Sequence, residues 1–180
     1  STAVSGNVDI TLGATGADRD ADGVVVYGDV YGGSALGYVN GTTASPTKHT
    51  NVTLNAGTIN GSLYGGGFKG DIEGNTYVEL VQGFLVNVYG GSRQANINGA
   101  AHVWAYDGKL RNWADDLTEH DDAPLVIERM FGGSDVSGLI GFKAGVTDVN
   151  DTEGRVADAG WTAHYSTSNW PEELFNNGTD

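Results

Sequence analysis

The chain has 180 residues, with 23 Asp and Glu against 9 Lys and Arg, a formal net charge of -14. A field of that sign repels phosphate backbones and anionic headgroups, and no apolar run reaches the ~18 residues of a membrane span, so neither nucleic-acid binding nor direct membrane insertion is expected. With no Cys, 29 Gly and only 3 Pro among recurring Val, Ile, Thr and Tyr, disulfides and thiolate metal sites are excluded and one all-β domain of short strands and tight turns is predicted.

The opening residues, Ser1 to Gly6, have neither the basic region nor the apolar stretch of a secretion signal, as expected of a trimmed mature fragment. Val8-Asp9-Ile10-Thr11-Leu12 then alternates with period two, a strand pattern. After it, Asp18-Arg19-Asp20-Ala21-Asp22-Gly23 fits D-x-D-x-D-G, and Asp29 falls at the twelfth position, where a calcium loop takes its last carboxylate. Asp18, Asp20, Asp22 and Asp29 are therefore candidate ligands for a structural Ca2+. The strand pattern of Val24-Val25-Val26-Tyr27 argues against an EF-hand, and the competing reading is a solvated acidic loop.

From here the chain repeats itself. An aliphatic-aromatic-Gly-Gly phrase occurs at Val30-Tyr31-Gly32-Gly33, Leu63-Tyr64-Gly65-Gly66, Val88-Tyr89-Gly90-Gly91 and Met130-Phe131-Gly132-Gly133. An aliphatic-x-Gly phrase follows at Val39, Ile72, Ile97 and Val136, eight residues after the aromatic in the first three cases and five in the last. A third, alternating phrase spans Asn51 to Gly57, Tyr77 to Gly83 and His102 to Gly108. The unit is about 25 residues, the separation of Leu63 and Val88. The longer steps from Val30 to Leu63 and from Val88 to Met130 place polar, Pro-containing insertions near 43–49 and 109–124.

Units this short bury nothing alone, so they are expected to stack as a single-stranded parallel β-helix, or β-solenoid, with three short strands per coil over residues 1–150. Interior columns are predicted at Val52, Val78 and Val103; at Leu54, Leu80 and Ala105; and at Val39, Ile72, Ile97 and Val136. The column Tyr31, Tyr64, Tyr89 and Phe131 faces inward or outward, since its flanks settle neither. Open ends leave edges for capping or for end-to-end association. Residues 151–180 form a tail that breaks the repeat, and Asn169 to Phe175 suits a short helix, a cap laying Trp161, Trp170, Leu174 and Phe175 over the last coil.

Outward positions of the third phrase stack aromatics beside polar groups, an arrangement that holds sugars in many proteins. Tyr77, His102, Trp104 and Tyr106 are the candidate carbohydrate-binding residues. The competing reading folds the insertion from Lys109 to Pro124, with Leu110, Trp113 and Leu117, back over this face. The histidines 49, 102, 120 and 164 lack metal-ligand spacing and are expected at the surface. No nucleophile elbow or phosphate-binding loop occurs. The only group that suits a polysaccharide lyase or hydrolase is Lys69 and Arg93 with Asp71, Glu73 and Asp135.

The run Gly61-Ser62-Leu63-Tyr64-Gly65-Gly66-Gly67, followed by Asp71-Ile72-Glu73-Gly74-Asn75-Thr76-Tyr77-Val78, resembles the repeats of large adhesin-like surface proteins of gut Bacteroidetes, over roughly residues 24 to 140. The resemblance implies a right-handed parallel β-helix in a secreted or surface-exposed bacterial protein, with a host or microbial surface glycan or protein as partner. Its motifs belong to the scaffold and carry over no catalytic residue. The expected function is thus a non-catalytic surface module serving as structural or display scaffold. A carbohydrate-binding module is the alternative, and a polysaccharide lyase or hydrolase a second.

Overall fold

The computed structural model describes residues 3–18, 21–41, 48–105, 108–110 and 125–141. Among them the chain is all-β without a helix, and every strand pairing is parallel. The strands are β1 (Val8–Leu12), β2 (Val24–Val26), β3 (Val30–Tyr31), β4 (His49–Leu54), β5 (Gly57–Tyr64), β6 (Asn75–Leu80), β7 (Gly83–Tyr89), β8 (Ala101–Ala105), β9 (Gly108–Leu110) and β10 (Leu125–Phe131).

The alternating phrases form a first sheet in the order β1-β4-β6-β8. Their register sets Ile10, Val52, Val78 and Val103 in one row, and Leu12, Leu54, Leu80 and Ala105 in another. Period-two alternation then puts every second residue on the inner face: Thr50, Val52 and Leu54 of β4 are buried, and Thr76, Val78 and Leu80 of β6 repeat the pattern. A second sheet runs β2-β5-β7-β10-β9, with β3 also beside β5. Its inner residues Ile59, Leu63, Leu85, Val88, Leu125 and Ile127 meet Val52, Leu54, Val78 and Leu80 in one core. Each of these side chains is at most 1 % exposed; burial on that scale stabilises by about 1.5–3 kcal/mol per residue.

Glycine makes the turn from the first sheet to the second. Gly57 and Gly83 open β5 and β7 with φ of 153° and 154°. A Cβ on Gly57 would fall on the Val24 carbonyl oxygen, and one on Gly83 on that of Gly57, so backbone packs on backbone here. Threonine ties the sheets together from inside: buried Thr50 Oγ1 donates to Gly65 O at 2.6 Å, and Thr76 Oγ1 to Gly90 O at 2.5 Å.

The aliphatic-x-Gly phrase makes single-residue bridges rather than strands, Val4 to Val39 to Ile72 to Ile97 to Ile140. Val39, Ile72 and Ile97 form a second apolar cluster against Val8 and Ile140. Side chains satisfy backbone donors one unit on: Asp71 Oδ1 accepts from Asn96 N (2.8 Å), Asn75 Oδ1 from Ala100 N (2.9 Å) and Asn96 Oδ1 from Leu139 N (2.9 Å).

Two features depart from the repeat as the sequence presents it. Val136 does not join the column of Val39, Ile72 and Ile97; it is 55 % exposed, and Ile140 takes its place. The column position is Ile140, nine residues after Phe131 where Ile97 is eight after Tyr89; Val136, at five, comes earlier in the unit and lies beside Arg93, whose carbonyl oxygen accepts from Val136 N and Ser137 N at 2.9 and 3.3 Å. The second departure is β9. It comes before β10 in the chain but lies beyond it in the sheet, pairing Gly108, Lys109 and Leu110 with Leu125, Val126 and Ile127. The insertion thus contributes a strand to the edge of the second sheet. Its remaining part, residues 111–124, lies outside the described residues, as do the first insertion from 42 to 47 and the tail from 151 to 180.

Candidate functional site

The outer face of the first sheet carries two rows of paired side chains: Asp9, Asn51, Tyr77 and His102, then Thr11, Thr53, Glu79 and Trp104. Parallel strands place like positions side by side, so rings one unit apart stack. The Tyr77 and His102 centroids are 4.9 Å apart, Tyr77 and Trp104 5.5 Å, and His102 and Trp104 5.6 Å, with ring planes within 12° of each other. On the other side His49 sets its edge against Tyr77 at 5.7 Å, while its Nε2 lies 3.2 Å from Asp9 Oδ1. Asn75 Nδ2 reaches the Tyr77 hydroxyl at 3.2 Å, fixing the ring from its own strand.

His49, Asn51, Tyr77, Glu79 and Trp104 line an open depression of about 270 Å³. That lies just below the ~300–1,000 Å³ of sites for drug-sized ligands and suits a single ring. Trp104 is 42 % exposed. Asn51 Nδ2 makes one long contact, 3.4 Å to Thr53 Oγ1, while its Oδ1 is buried and accepts no hydrogen bond from the described residues. The structure therefore brings Tyr77, His102 and Trp104 together, as the period-two reading anticipates; Tyr106 lies outside the described residues. It adds His49, which sequence reasoning assigned only to the surface. The available signal was position: His49 is two residues before Asn51 on the same outward face.

A second ring stack crosses the second sheet. Tyr31, Tyr64, Tyr89 and Phe131 follow at 4.8, 5.0 and 5.0 Å, with successive ring planes within 15° of parallel. Phe68 closes on Tyr31 edge-on at 5.8 Å, and the Arg93 guanidinium and Lys69 ammonium lie 5.0 and 5.5 Å from the Phe68 ring. The column faces away from the core, since its neighbours Leu63 and Val88 point inward, yet Tyr64 is only 2 % exposed. Its hydroxyl donates to Asp135 Oδ2 at 2.9 Å, and that of Tyr31 to Asp29 Oδ2 at 3.0 Å. Burial first, then the Asp29 carboxylate, pushes the Tyr31 hydroxyl up to about 12. Burial likewise pushes Tyr64 up to about 12, with Asp135 adding to it and a hydrogen bond with Ser62 opposing it. Burial and Asp135 raise Tyr89 as well.

Around the acidic motif, Asp18 Oδ1 accepts from Ala21 N at 2.9 Å and Asp18 O from Asp22 N at 2.9 Å, a turn held by its own first carboxylate. Asp29 is engaged elsewhere: besides Tyr31, it accepts from Ser62 N at 2.8 Å, where β5 bulges against β7. Asp20 lies outside the described residues, among which no group of three or more His, Asp or Glu is placed to hold a metal. The carboxylates grouped with Lys69 and Arg93 are bound into the scaffold. Asp71 accepts from Asn96 N, Glu73 is fully buried and accepts from Asn98 Nδ2 at 3.0 Å, and Asp135 holds Tyr64.

No protein-family model, curated protein or solved structure matches the chain. The likeness to adhesin-type repeats accordingly stands on the motif residues alone.

Proposed function

We propose that the chain is a non-catalytic module of a bacterial surface protein of the adhesin type, built as a parallel β-solenoid of about 25 residues per coil, right-handed as the resemblance implies. The observation that carries this reading is the shared register of the ladders. Strands β4, β6 and β8, strands β5 and β7, and the bridges at Ile72 and Ile97 all advance by one unit of sequence for one step across the sheet. A chain that climbs by one strand spacing per unit becomes a rod, and a rod made from backbone ladders and buried aliphatic columns serves to hold other surfaces at a distance.

Duplicating residues 75–99 in tandem tests it. The longer chain should fold, keep its all-β circular dichroism and lengthen by one strand spacing, about 4.8 Å, in solution scattering. A product that misfolds or grows in width would overturn the solenoid. Antibody labelling of intact cells that make the protein tests its location: signal that appears only after lysis would rule out surface display.

A further inference from the structure

We propose that the depression lined by His49, Asn51, Tyr77, Glu79 and Trp104 binds one ring of a neutral pyranoside. The proposal needs only the outer face of the first sheet, and it stands whether or not the chain is a surface scaffold. Three features of the lining define the ligand. Tyr77 and Trp104, parallel within 4° and 5.5 Å apart, give an aromatic wall whose Trp104 side is 42 % exposed, so the ligand offers an apolar surface to lie against it. Asn51 is on the same lining with its amide held only by a 3.4 Å contact from Nδ2 to Thr53 Oγ1, and Glu79 is a carboxylate there. The carboxylate accepts hydrogen bonds and the amide is a polar partner beside it, so the ligand must carry donors, most of all for Glu79.

A pyranose has both properties at once: axial C–H groups on its face and hydroxyl donors around its rim. Other flat ligands fit less well. A nucleotide would stack, but its phosphate meets Glu79, Asp9 and a chain of net charge -14. A uronate or a sialic acid meets the same repulsion. The imidazole on the lining, His49, is set against Asp9 at 3.2 Å, so Asp9 and Glu79 leave the rim of the depression acidic. A neutral hexose is thus favoured over an acidic one by charge and over a purely apolar ring by the polar groups of Glu79 and Asn51 on the lining.

The test is a glycan array holding neutral hexose oligosaccharides beside uronate-containing ones, followed by fluorescence titration of the neutral hits with Trp104→Ala, Asn51→Ala and Glu79→Gln. Tyr27→Ala, at an 86 % exposed position elsewhere, serves as the control. We expect at least one neutral glycan to bind with Kd of order 1 mM or tighter, weakened about tenfold by Trp104→Ala and about fivefold by Asn51→Ala, and unchanged by Tyr27→Ala. Circular dichroism and melting establish that each variant is folded; if Trp104→Ala is not, Asn51→Ala and Glu79→Gln decide. Failure of every neutral glycan to bind overturns the site. So does binding indifferent to Asn51→Ala and Glu79→Gln, a preference for uronates, or stronger binding of choline, which would mark a cation site instead.

Discussion

Two stacks of rings stand on this molecule, one buried at its centre and one bordering an open depression. Tyr31, Tyr64 and Tyr89 climb the second sheet with Phe68 edge-on to Tyr31 and Arg93 over Phe68, the hydroxyls of Tyr31 and Tyr64 are tied to Asp29 and Asp135, and the column ends in Phe131, 44 % exposed. Tyr77, His102 and Trp104 climb the first sheet and border an open depression. Stacking follows from the parallel register alone, so a ring column by itself says nothing about purpose. What separates the two is what meets the rings: Phe68 and the carboxylates of Asp29 and Asp135 engage the first column and leave Tyr64 2 % exposed, while Trp104 of the second is 42 % exposed.

The largest effect should come from Tyr64→Ala. Removing a 2 % exposed ring with a neighbour on each face should cost roughly 3–5 kcal/mol in urea denaturation. A loss below about 1 kcal/mol would mean that the covered column is no more structural than the open one. Alkaline pH sharpens the same point. Tyr31 and Tyr64 hold their protons to about 12, whereas unfolded tyrosines release theirs near 10. The folded state therefore binds more protons in that window: stability is intact below pH ~10 and falls as pH rises from ~10 towards 12. Tyrosinate absorbance should show a late-titrating component that Asp135→Asn moves to lower pH and urea abolishes. A single native transition near pH 10 would contradict the assignment.

Thr76→Val should cost about 1–3 kcal/mol by leaving the buried Gly90 carbonyl without the Thr76 hydroxyl. It thereby isolates the tie between the sheets from the rings on either side; a thermal melt equal to wild type would show that water replaces it. Smallest of all, Trp104→Ala should change stability by no more than about 1 kcal/mol, because Trp104 is half in solvent at the outer row of β8. A loss comparable to that of Tyr64→Ala would erase the contrast between the columns.

Much of this was legible in the sequence because the repeat fixes the register. Once Tyr77 pairs with His102, and Asn51 with Tyr77, the buried pairs Val52, Val78 and Leu54, Leu80 follow by alternation, and so do the outer rings; in β8 the same rows continue in register, but Val103 is only partly buried and Ala105 is exposed. Three things did not follow. The facing of Tyr64 was open, since glycine corners interrupt the alternation before and after each strand. Val136 matched the aliphatic-x-Gly phrase but stands only five residues after the aromatic, and Ile140, which completes the column at nine, is followed directly by Gly141 and does not fit the phrase. The depression was only half visible, its Asn51, Tyr77, Glu79 and Trp104 appearing as separate outward rows and His49 as an isolated surface residue.

The position of β9 bears on how the molecule is assembled. A chain that simply climbs could settle each strand onto the one before it as it emerges. Here the strand at the edge of the second sheet is made first, and β10, which must sit between it and β7, is made later. The last unit therefore cannot close by addition. Synthesis has to pass Phe131 before Leu125, Val126 and Ile127 find both neighbours, and until then the edge of β7 stays exposed to any other strand in the cell. Among the described residues, β7 and β9 both keep an unpaired edge until β10 is in place, and that interval is one in which the sheet is open to mispairing.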